Sequence, residues 1–350
     1  MKSRILALAL WFIMMPTLAI SMMMGQTNNA LAQLSVNRLV VAWGENPNPT
    51  AILKEEGWLE QAFGKVPVTW KPMASGHDMI TAIASHSIDL ACEVGSPPAA
   101  LSAAQGIPIR IIWINENAAE ALAVNPQRIK AFADLPGKKI GTIVGSTMYF
   151  SLVAALRANK IALKDVQVLD GPQQDIAAAY KRGDLDGVYL SNPWLTQVQD
   201  SGAKILITSD QVAERYHLGT FDSCVGADSW LKTHKDAAMK FVQGMDRATH
   251  FLYDQPQPAY AALAKALNIS VEQAKIQATL GSHPTAAQQS KAAWLGTPST
   301  VGKSGVTSAM KLTVDFAVEL GRLSKAQLAP NWNPAAVGDP TFVNEVAGVR

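Results

Sequence analysis

The sequence predicts an α/β protein of two lobes, each a mixed sheet flanked by helices, with a ligand site in the cleft between them. Strand-like and helix-like runs alternate along most of the chain, which is typical of βαβ units. Two apolar runs then follow one another in "IRIIWINENAAEALAVN", a natural place to cross between lobes. A cleft enclosed by two such crossings is a common place for a small ligand, beyond the carboxyl ends of the strands.

The elements support this assignment in order. "RLVVAWG", "VPVTWKPM" and "IDLACEVGS" are strand-like, and each precedes a helical run. Beyond the crossing, "KKIGTIVGS", "VQVLDG", "LDGVYLSNP" and "AKILITS" restart the pattern. "GTFDSCVGADSWL" is the returning strand, and the chain is nearly all helical after it. We therefore predict lobe one from residues 33–116 and 220–350, with a helical C-terminal tail, and lobe two from residues 117–219.

Residues 1–32 are predicted to be a signal peptide that directs the chain to the periplasm. Lys2 and Arg4 precede the apolar run "ILALALWFIMMPTLAISMMM", and "ALA" before Gln33 resembles a small-residue cleavage site. An uncleaved anchor that holds a ligand-sensing ectodomain is the alternative. Without these residues the chain has 28 basic and 28 acidic side chains, so it lacks the basic excess that nucleic-acid binding requires.

Two turns between a strand and a helix predict a place for an anion. "VGSPPAALSAA" contains Gly95 and Ser96, and "VGSTMYFSLVAAL" contains Gly145, Ser146 and Thr147. The glycines allow a tight turn, the hydroxyls cap the helices, and the unpaired N–H groups of a helix start favour negative charge. Gly-Ser before a helix is also ordinary without a ligand. Two such turns, one in each lobe, make the two interpretations equally good.

Acidic side chains near the same strand ends indicate a positive group on the ligand. Asp222 lies in the apolar returning strand, where an ionised carboxylate needs a partner. A ligand ammonium would serve, although a salt bridge or a hydrogen bond to loop backbone would serve as well. Glu45 and Glu93 also follow strand ends, so anion turns beside acids favour a zwitterion. The remaining candidate ligand-binding residues are Tyr149, Asn192 and Trp194.

The sequence contains no motif that indicates an enzyme, a cofactor or a metal site. It has no G-x-S-x-G elbow, no phosphate loop and no H-E-x-x-H pair, and its six histidines are scattered. Cys92 and Cys224 would allow one disulfide after export. Both lie in apolar strand-like runs, and we expect two buried free thiols.

Four segments carry a resemblance that covers essentially the whole mature chain. They are "IDLACEVGSPPAALSAAQGIPIRI", "DLPGKKIGTIVGSTMYFSLVAAL", "AAYKRGDLDGVYLSNP" and "GTFDSCVGADSWLKTH". In this order and spacing they resemble the periplasmic substrate-binding proteins of nitrate, sulfonate and taurine ABC importers, and most of all the taurine-binding proteins. The resemblance implies a monomeric type II periplasmic binding protein that closes on its solute and docks on an ABC permease and its ATPase at the inner membrane.

The resemblance also implies roles for particular residues. Both helix starts would receive the sulfonate of taurine, and Asp222 would receive its amine. This chain has Ser191 and Cys224 where the taurine-type pattern has tryptophans, and Glu93 where it has a neutral amide. A site with less aromatic wall and an extra acid favours a larger or more cationic ligand.

Two other functions remain open at this point. The same fold would suit another solute, such as an aliphatic sulfonate, nitrate or a pyrimidine vitamin precursor. An enzyme of the same bilobal family, a pyrimidine-precursor synthase, is the alternative from another class. Those relatives rely on a cysteine-rich iron-binding motif, which the two distant cysteines of this chain do not provide.

Overall fold

The computed structural model describes residues 34–73, 75–117, 120–216 and 219–349, which form two five-stranded sheets covered by helices. The predicted signal peptide, residues 1–32, lies outside this range. Within the range, no helix has both the length and the apolar character that crossing a bilayer requires.

Sheet one has the strand order β2–β1–β3–β10–β4. β1 pairs in parallel with β2 and β3, whereas β10 runs antiparallel between β3 and β4. All six residues of β3 are buried, as expected of a strand covered on both faces. The strands are β1 (Leu39–Trp43), β2 (Val68–Pro72), β3 (Leu90–Gly95), β4 (Ile109–Asn117) and β10 (Phe221–Ala227), and the helices between them are α1 (Pro49–Glu55), α2 (Trp58–Phe63), α3 (Gly76–Ala84) and α4 (Ser96–Ala104).

Sheet two has the order β7–β6–β8–β5–β9 and the same topology. Its antiparallel strand is β5, between β8 and β9. In both sheets the antiparallel strand is the first one that follows a passage from the other sheet. The strands are β5 (Glu120–Val124), β6 (Lys139–Thr142), β7 (Gln167–Asp170), β8 (Gly187–Ser191) and β9 (Lys204–Thr208), and the helices are α5 (Thr147–Ala158), α6 (Gln173–Arg182), α7 (Trp194–Asp200) and α8 (Ser209–Tyr216).

The chain after β10 is helical, as predicted. The long helix α10 packs on α1, α2 and α15, and α14 packs on α4, so this region covers sheet one. Its helices are α9 (Asp228–Thr233), α10 (Lys235–Asp254), α11 (Pro256–Leu267), α12 (Val271–Ala278), α13 (Ala286–Gln289), α14 (Gly305–Glu319) and α15 (Thr341–Val346). The predicted fold class, two mixed sheets flanked by helices, is confirmed. The lobe boundaries at 116/117 and 219/220 stay a prediction.

Cys92 and Cys224 form a disulfide, so the expectation of two free thiols was wrong. The antiparallel register of β3 and β10 places Val94 opposite Ser223 and Ala91 opposite Val225, which brings the two cysteines side by side with their Cα atoms 4.0 Å apart. The two residues are 132 positions apart in the sequence. Their apolar surroundings indicated burial, but only the pairing of the two strands shows that the sulfur atoms meet.

Candidate functional site

The candidate site lies where the β3–α4 turn of sheet one meets the start of α5, which follows β6 of sheet two. A Cβ atom placed on Gly95 would lie 3.0 Å from Thr147 Cγ2 and 3.4 Å from Asp222 Oδ1. Gly95 has a φ of −61°, which any residue adopts, so the predicted tight turn is wrong at this position. Glycine is needed there because Thr147 approaches so closely. Gly145 does have a left-handed φ, of 88°.

The start of α5 has the features predicted for an anion site. Ser146 caps the helix, because its Oγ accepts a hydrogen bond of 3.3 Å from the N–H of Tyr149 and donates one of 2.7 Å to the carbonyl of Ile143. The N–H groups of Thr147 and Met148 make no hydrogen bond to any part of the chain that the structure describes. Two free N–H groups at the positive end of a twelve-residue helix favour a negative ligand group.

The start of α4 is poorer in donors than predicted. Gly95 is the residue that precedes the helix, and Ser96 is its first residue, so the capping role predicted for Ser96 is wrong. The Oγ of Ser96 instead accepts a hydrogen bond of 3.3 Å from the N–H of Phe221. Pro97 and Pro98 have no N–H. Among the first three residues of α4, only Ser96 therefore has an N–H for an anion.

The side chain of Asp222 accepts no hydrogen bond from the residues that the structure describes. It lies on β10, opposite Gly95 of β3 and Glu116 of β4. Burial raises its pKa well above the usual range, and the charges of Glu120 and Glu93 raise it further, while no hydrogen bond from the described residues lowers it. A carboxylate in this position is stabilised by a positive charge, which none of the described residues supplies through an ion pair.

Glu93 is 8% exposed and bonded to the protein. Its Oε1 accepts hydrogen bonds from Asn48 Nδ2 at 2.9 Å, Thr50 Oγ1 at 2.8 Å and Asn115 Nδ2 at 2.6 Å. Its Oε2 accepts one of 2.8 Å from the N–H of Gly44. All four donors are neutral, and burial raises the pKa of Glu93 in spite of them. Glu93 thus ties the segment after β1 to β3 and β4, and its carboxylate is already occupied by protein donors.

Glu120, the first residue of β5, belongs to the site but was not among the predicted residues. It is 7% exposed and accepts hydrogen bonds from the hydroxyls of Thr147 and Ser209, the latter at 3.3 Å. Burial raises its pKa to about 7, against the effect of these two hydrogen bonds. Glu120 therefore lies beside the free N–H groups of α5 and close enough to Asp222 to raise the pKa of that residue.

Glu116 was also missed. Burial raises its pKa well above the usual range, followed by the charges of Asp222, Glu93 and Glu120. The nearest side chain of opposite potential charge is His283, with Nδ1 3.7 Å from Glu116 Oε2. Burial lowers the pKa of His283, so this pair does not neutralise the acids. Both missed acids lie in "NENAAE", the polar link between two apolar strands. Their position at the predicted crossing between the lobes was the sequence feature that could have indicated a place in the cleft.

The site is therefore acidic. Of the ion pairs formed within the described chain, none joins a Lys or Arg to one of its four carboxyls, which are those of Glu93, Glu116, Glu120 and Asp222. The part of the chain that the structure describes contains no cluster of three or more His, Cys, Asp or Glu side chains that would hold a metal ion.

The other predicted residues make contacts elsewhere. Tyr149 packs with Phe150 and Phe316, and Trp194 packs against the apolar cluster of α6 and α7. The Oδ1 of Asn192 accepts hydrogen bonds from the N–H and hydroxyl of Thr196, at 3.1 and 2.6 Å. Glu45 is exposed at a φ of 55°. None of these contacts joins the group formed by Gly95, Thr147, Glu120 and Asp222.

An apolar cavity of about 170 Å³ lies on the other side of the α5 start. It separates α5 from α4 and α14, and Arg322 is the charged residue in its wall. Its lining includes Pro97, Leu101, Ser146, Phe150 and Phe316. Ser146 and its neighbours therefore lie between an acidic cleft and an apolar space.

Comparison with known proteins gives consistent results. A family model described as NMT1/THI5 like matches residues 48–259. The chain is 28% identical over 213 residues to the taurine-binding periplasmic protein of Escherichia coli (strain K12). This alignment covers 60% of this chain and 65% of that protein. It is 26% identical over 207 residues to a putative aliphatic sulfonates-binding protein of Bacillus subtilis (strain 168), covering 57% and 61%. The aligned segments thus span less than two thirds of either relative.

The fold is similar to that of a solved structure over nearly its whole length. The periplasmic aliphatic sulphonate binding protein SsuA from Escherichia coli superposes with a TM-score of 0.69 and 19% identity, covering 85% of this chain and 93% of that one. At this identity the similarity establishes the two-lobed architecture.

Proposed function

The chain belongs to the NMT1/THI5-like family, and on that premise we propose that it is the extracytoplasmic solute-binding component of an ABC importer. It binds taurine or a related short amino-sulfonate between its two sheets and delivers the solute, as a periplasmic monomer, to a membrane permease and its ATPase. The names of the two relatives, one taurine-binding and one putatively sulfonate-binding, support this assignment.

The observation that carries the proposal is the opposition of two unsatisfied groups across the cleft. Sheet one presents the unpaired carboxylate of Asp222, and the α5 start presents the free N–H groups of Thr147 and Met148. Gly95 leaves no side chain between them. One group favours a cation and the other an anion, so a short zwitterion satisfies both with charge-assisted hydrogen bonds.

The charge of the site supports an amine on the solute. Asp222 and three further carboxyls are grouped without an ion pair to any described Lys or Arg, whereas the anion donors are few, because Pro97 and Pro98 remove two from α4. A simple anion would bring a further negative charge to this group and leave Asp222 unpaired. An amino-sulfonate, or a solute with a larger positive group, fits better.

A second candidate is an aliphatic sulfonate. The apolar cavity of about 170 Å³ beside Ser146 favours it, because an alkyl tail would bury its surface there while the sulfonate meets the α5 start. In this arrangement Asp222 makes no contact with the solute.

Calorimetric titration of refolded, ligand-stripped protein with taurine, ethanesulfonate, octanesulfonate and nitrate separates these functions. Taurine binding at least tenfold more tightly than ethanesulfonate supports the amino-sulfonate assignment, because the two differ mainly in the amine. Tighter binding of octanesulfonate than of taurine would favour the aliphatic sulfonate. Heat from none of the four would contradict both.

A further inference from the structure

Glu120 of β5 ends a buried chain of hydroxyl groups from α8, α5 and the segment before β10. Ser209 Oγ lies 3.3 Å from Glu120 Oε2 and 3.2 Å from Ser151 Oγ, and Ser151 Oγ lies 3.2 Å from Thr220 Oγ1. On its other side, the hydroxyl of Thr147 donates to Glu120 Oε1. Every member of this chain is at most 7% exposed. Water is therefore a poor substitute for any of these bonds.

The number of protons fixes the direction of the chain when Glu120 is ionised. A serine hydroxyl has one proton, so Ser209 cannot donate to both Glu120 and Ser151. If it donates to Glu120, the hydroxyls of Ser151 and Tyr189, the latter 3.0 Å away, both donate to Ser209, and Thr220 donates to Ser151. Thr147 also donates to Glu120, so its hydroxyl has no proton left for a ligand at the α5 start.

An anion at the α5 start changes this balance. It would accept hydrogen bonds from the N–H groups of Thr147 and Met148. It would therefore lie next to Thr147, whose hydroxyl donates to Glu120. Two negative charges in a buried site repel strongly. A neutral Glu120 removes the repulsion, and its own O–H can then donate to Thr147 Oγ1, which leaves the Thr147 proton free for the anion.

We propose that Glu120 is a positioning residue that must take up a proton for the site to accept an anionic group, so that a sulfonate is captured together with a proton. This inference rests on the proposed function, because it places the solute anion at the α5 start. Glu120 acts through Thr147. When Glu120 is ionised, the hydroxyl of Thr147 donates its hydrogen bond to Glu120. When Glu120 is protonated, it donates to Thr147 Oγ1, and the hydroxyl of Thr147 can donate to the solute.

Burial favours the protonated form of Glu120, and the charged groups closest to it are carboxyls. From sheet one, Asp222 of β10 and Glu116 of β4 lie close enough to interact with its charge, and both also interact with Glu93 of β3. From sheet two, the nearest titratable groups are Tyr189 of β8, whose pKa is raised mainly by burial, and Asp210 of α8, whose pKa is also raised by burial. No Lys or Arg pairs with Glu120 in the part of the chain that the structure describes.

The expected consequence is a dependence of anion affinity on pH. With a pKa of about 7 in the free protein, the fraction of protonated Glu120 at pH 8.5 is about one thirtieth of that at pH 5.5. The apparent affinity falls with the competent fraction, so ethanesulfonate should bind about 30-fold more weakly at pH 8.5. Ethanesulfonate is the probe because it has no amine to displace a proton from Asp222.

The test compares wild type, Glu120→Gln and Asp210→Asn by calorimetric titration with ethanesulfonate from pH 5.5 to 8.5, in two buffers with different heats of ionisation. Wild type should take up close to one proton per bound anion at pH 8. Glutamine imitates the neutral acid, so Glu120→Gln should take up none and should bind more tightly than wild type at pH 8.5. Asp210→Asn removes the same charge beside Ser209 and should keep the wild-type profile.

A gain of affinity at high pH cannot come from a damaged fold, which makes that result specific. Ethanesulfonate affinity that is independent of pH in wild type would overturn the inference and leave the proposed function standing. A pH profile that Glu120→Gln leaves intact would assign the proton to another carboxyl and would also overturn it. If neither taurine nor ethanesulfonate binds at any pH, the proposed function and the inference fail together.

Discussion

Asp222 and Glu120 occupy equivalent positions in the two sheets. Asp222 lies at the start of β10, opposite Gly95 at the end of β3, and Glu120 lies at the start of β5, opposite Ser191 at the end of β8. Each is thus the first or second residue of the antiparallel strand of its sheet, beside the carboxyl end of the strand that it pairs with. Each segment that crosses between the sheets is thus followed by one acid at the same cleft, Glu120 after the first crossing and Asp222 after the second.

We predict that the ligand-free protein loses stability as the pH rises from 5 to 8. The folded pKa values of Glu93, Glu116, Glu120 and Asp222 all lie above their unfolded values, so the folded state holds protons that the unfolded state has released. Their stabilisation is complete below the unfolded pKa and disappears as the pH rises through the folded pKa. Glu120 alone, with a pKa that moves from 4.5 to about 7, accounts for about 3 kcal/mol of unfolding free energy.

Urea denaturation at several pH values measures this slope. The acids with lowered pKa values, Asp134, Asp186, Asp228 and Asp236, act only below their usual range and do not affect the interval from pH 5 to 8. Glu120→Gln should flatten the profile in part. His283, whose pKa burial lowers, opposes this slope, and a stability that is constant or increases toward pH 8 in wild type would contradict the predicted dominance of the four acids.

We predict that Gly95→Ala weakens solute binding by about tenfold or more and leaves the fold stable. The new methyl group would lie 3.0 Å from Thr147 Cγ2, an overpacked contact that costs about 1–3 kcal/mol. The φ of −61° adds no backbone strain. Gly76→Ala is the matched control, because its methyl would meet Pro98 and Val94 at an ordinary 3.5 Å. Equal affinities of the two variants would contradict the close approach of α5 to β3.

We predict that the oxidised, unfolded protein contains no free thiol and that reduction destabilises the fold. The Cys92–Cys224 disulfide closes a loop between residues 132 positions apart, so removing it should lower the unfolding free energy by about 2–5 kcal/mol. Thiol labelling in denaturant before and after reduction counts the free cysteines. Urea denaturation of Cys92→Ala/Cys224→Ala gives the energy. Two labelled thiols without reduction would restore the expectation drawn from the sequence.

We predict that Glu93→Gln lowers the unfolding free energy by about 1–3 kcal/mol. If the side-chain oxygen of glutamine keeps the bonds to Asn48, Thr50 and Asn115, its amide N–H₂ faces the N–H of Gly44, which is also a donor. One buried donor then loses its partner. Thermal unfolding of Glu93→Gln and of Glu45→Gln, an exposed control that removes the same charge, measures the effect. Equal stability of both variants would show that Glu93 is not fixed by these bonds.

Local pattern was sufficient for the fold class and for part of the site. Strand and helix periodicity, together with the doubled strand near residue 117, predicted two mixed sheets and the helical tail. The α5 start was also predictable, because Gly145 and Ser146 act through local backbone geometry and capping. Asp222 stood out as a charge in an apolar strand, a conflict that is visible in sequence alone.

The other features depend on which strands become neighbours. The disulfide and the donors around Glu93 join segments far apart in the chain, so neither composition nor spacing showed them. In the sequence, Glu120 is part of a polar link. Its burial depends on Thr147 and Ser209, which begin α5 and α8 and are distant in the chain. Tyr149 and Trp194 were predicted near the ligand from their positions at strand ends, whereas their rings pack against apolar clusters.

The most direct test of the central claim is the ratio of taurine to ethanesulfonate affinity in wild type and in Asp222→Asn, measured by calorimetric titration of refolded protein. The substitution removes the charge opposite the amine and keeps the shape of the side chain. We predict that Asp222→Asn loses about 100-fold in taurine affinity and little in ethanesulfonate affinity, because only taurine has a cation to pair with the carboxylate. An unchanged ratio would contradict the account, since it would show that Asp222 does not receive the positive group of the solute.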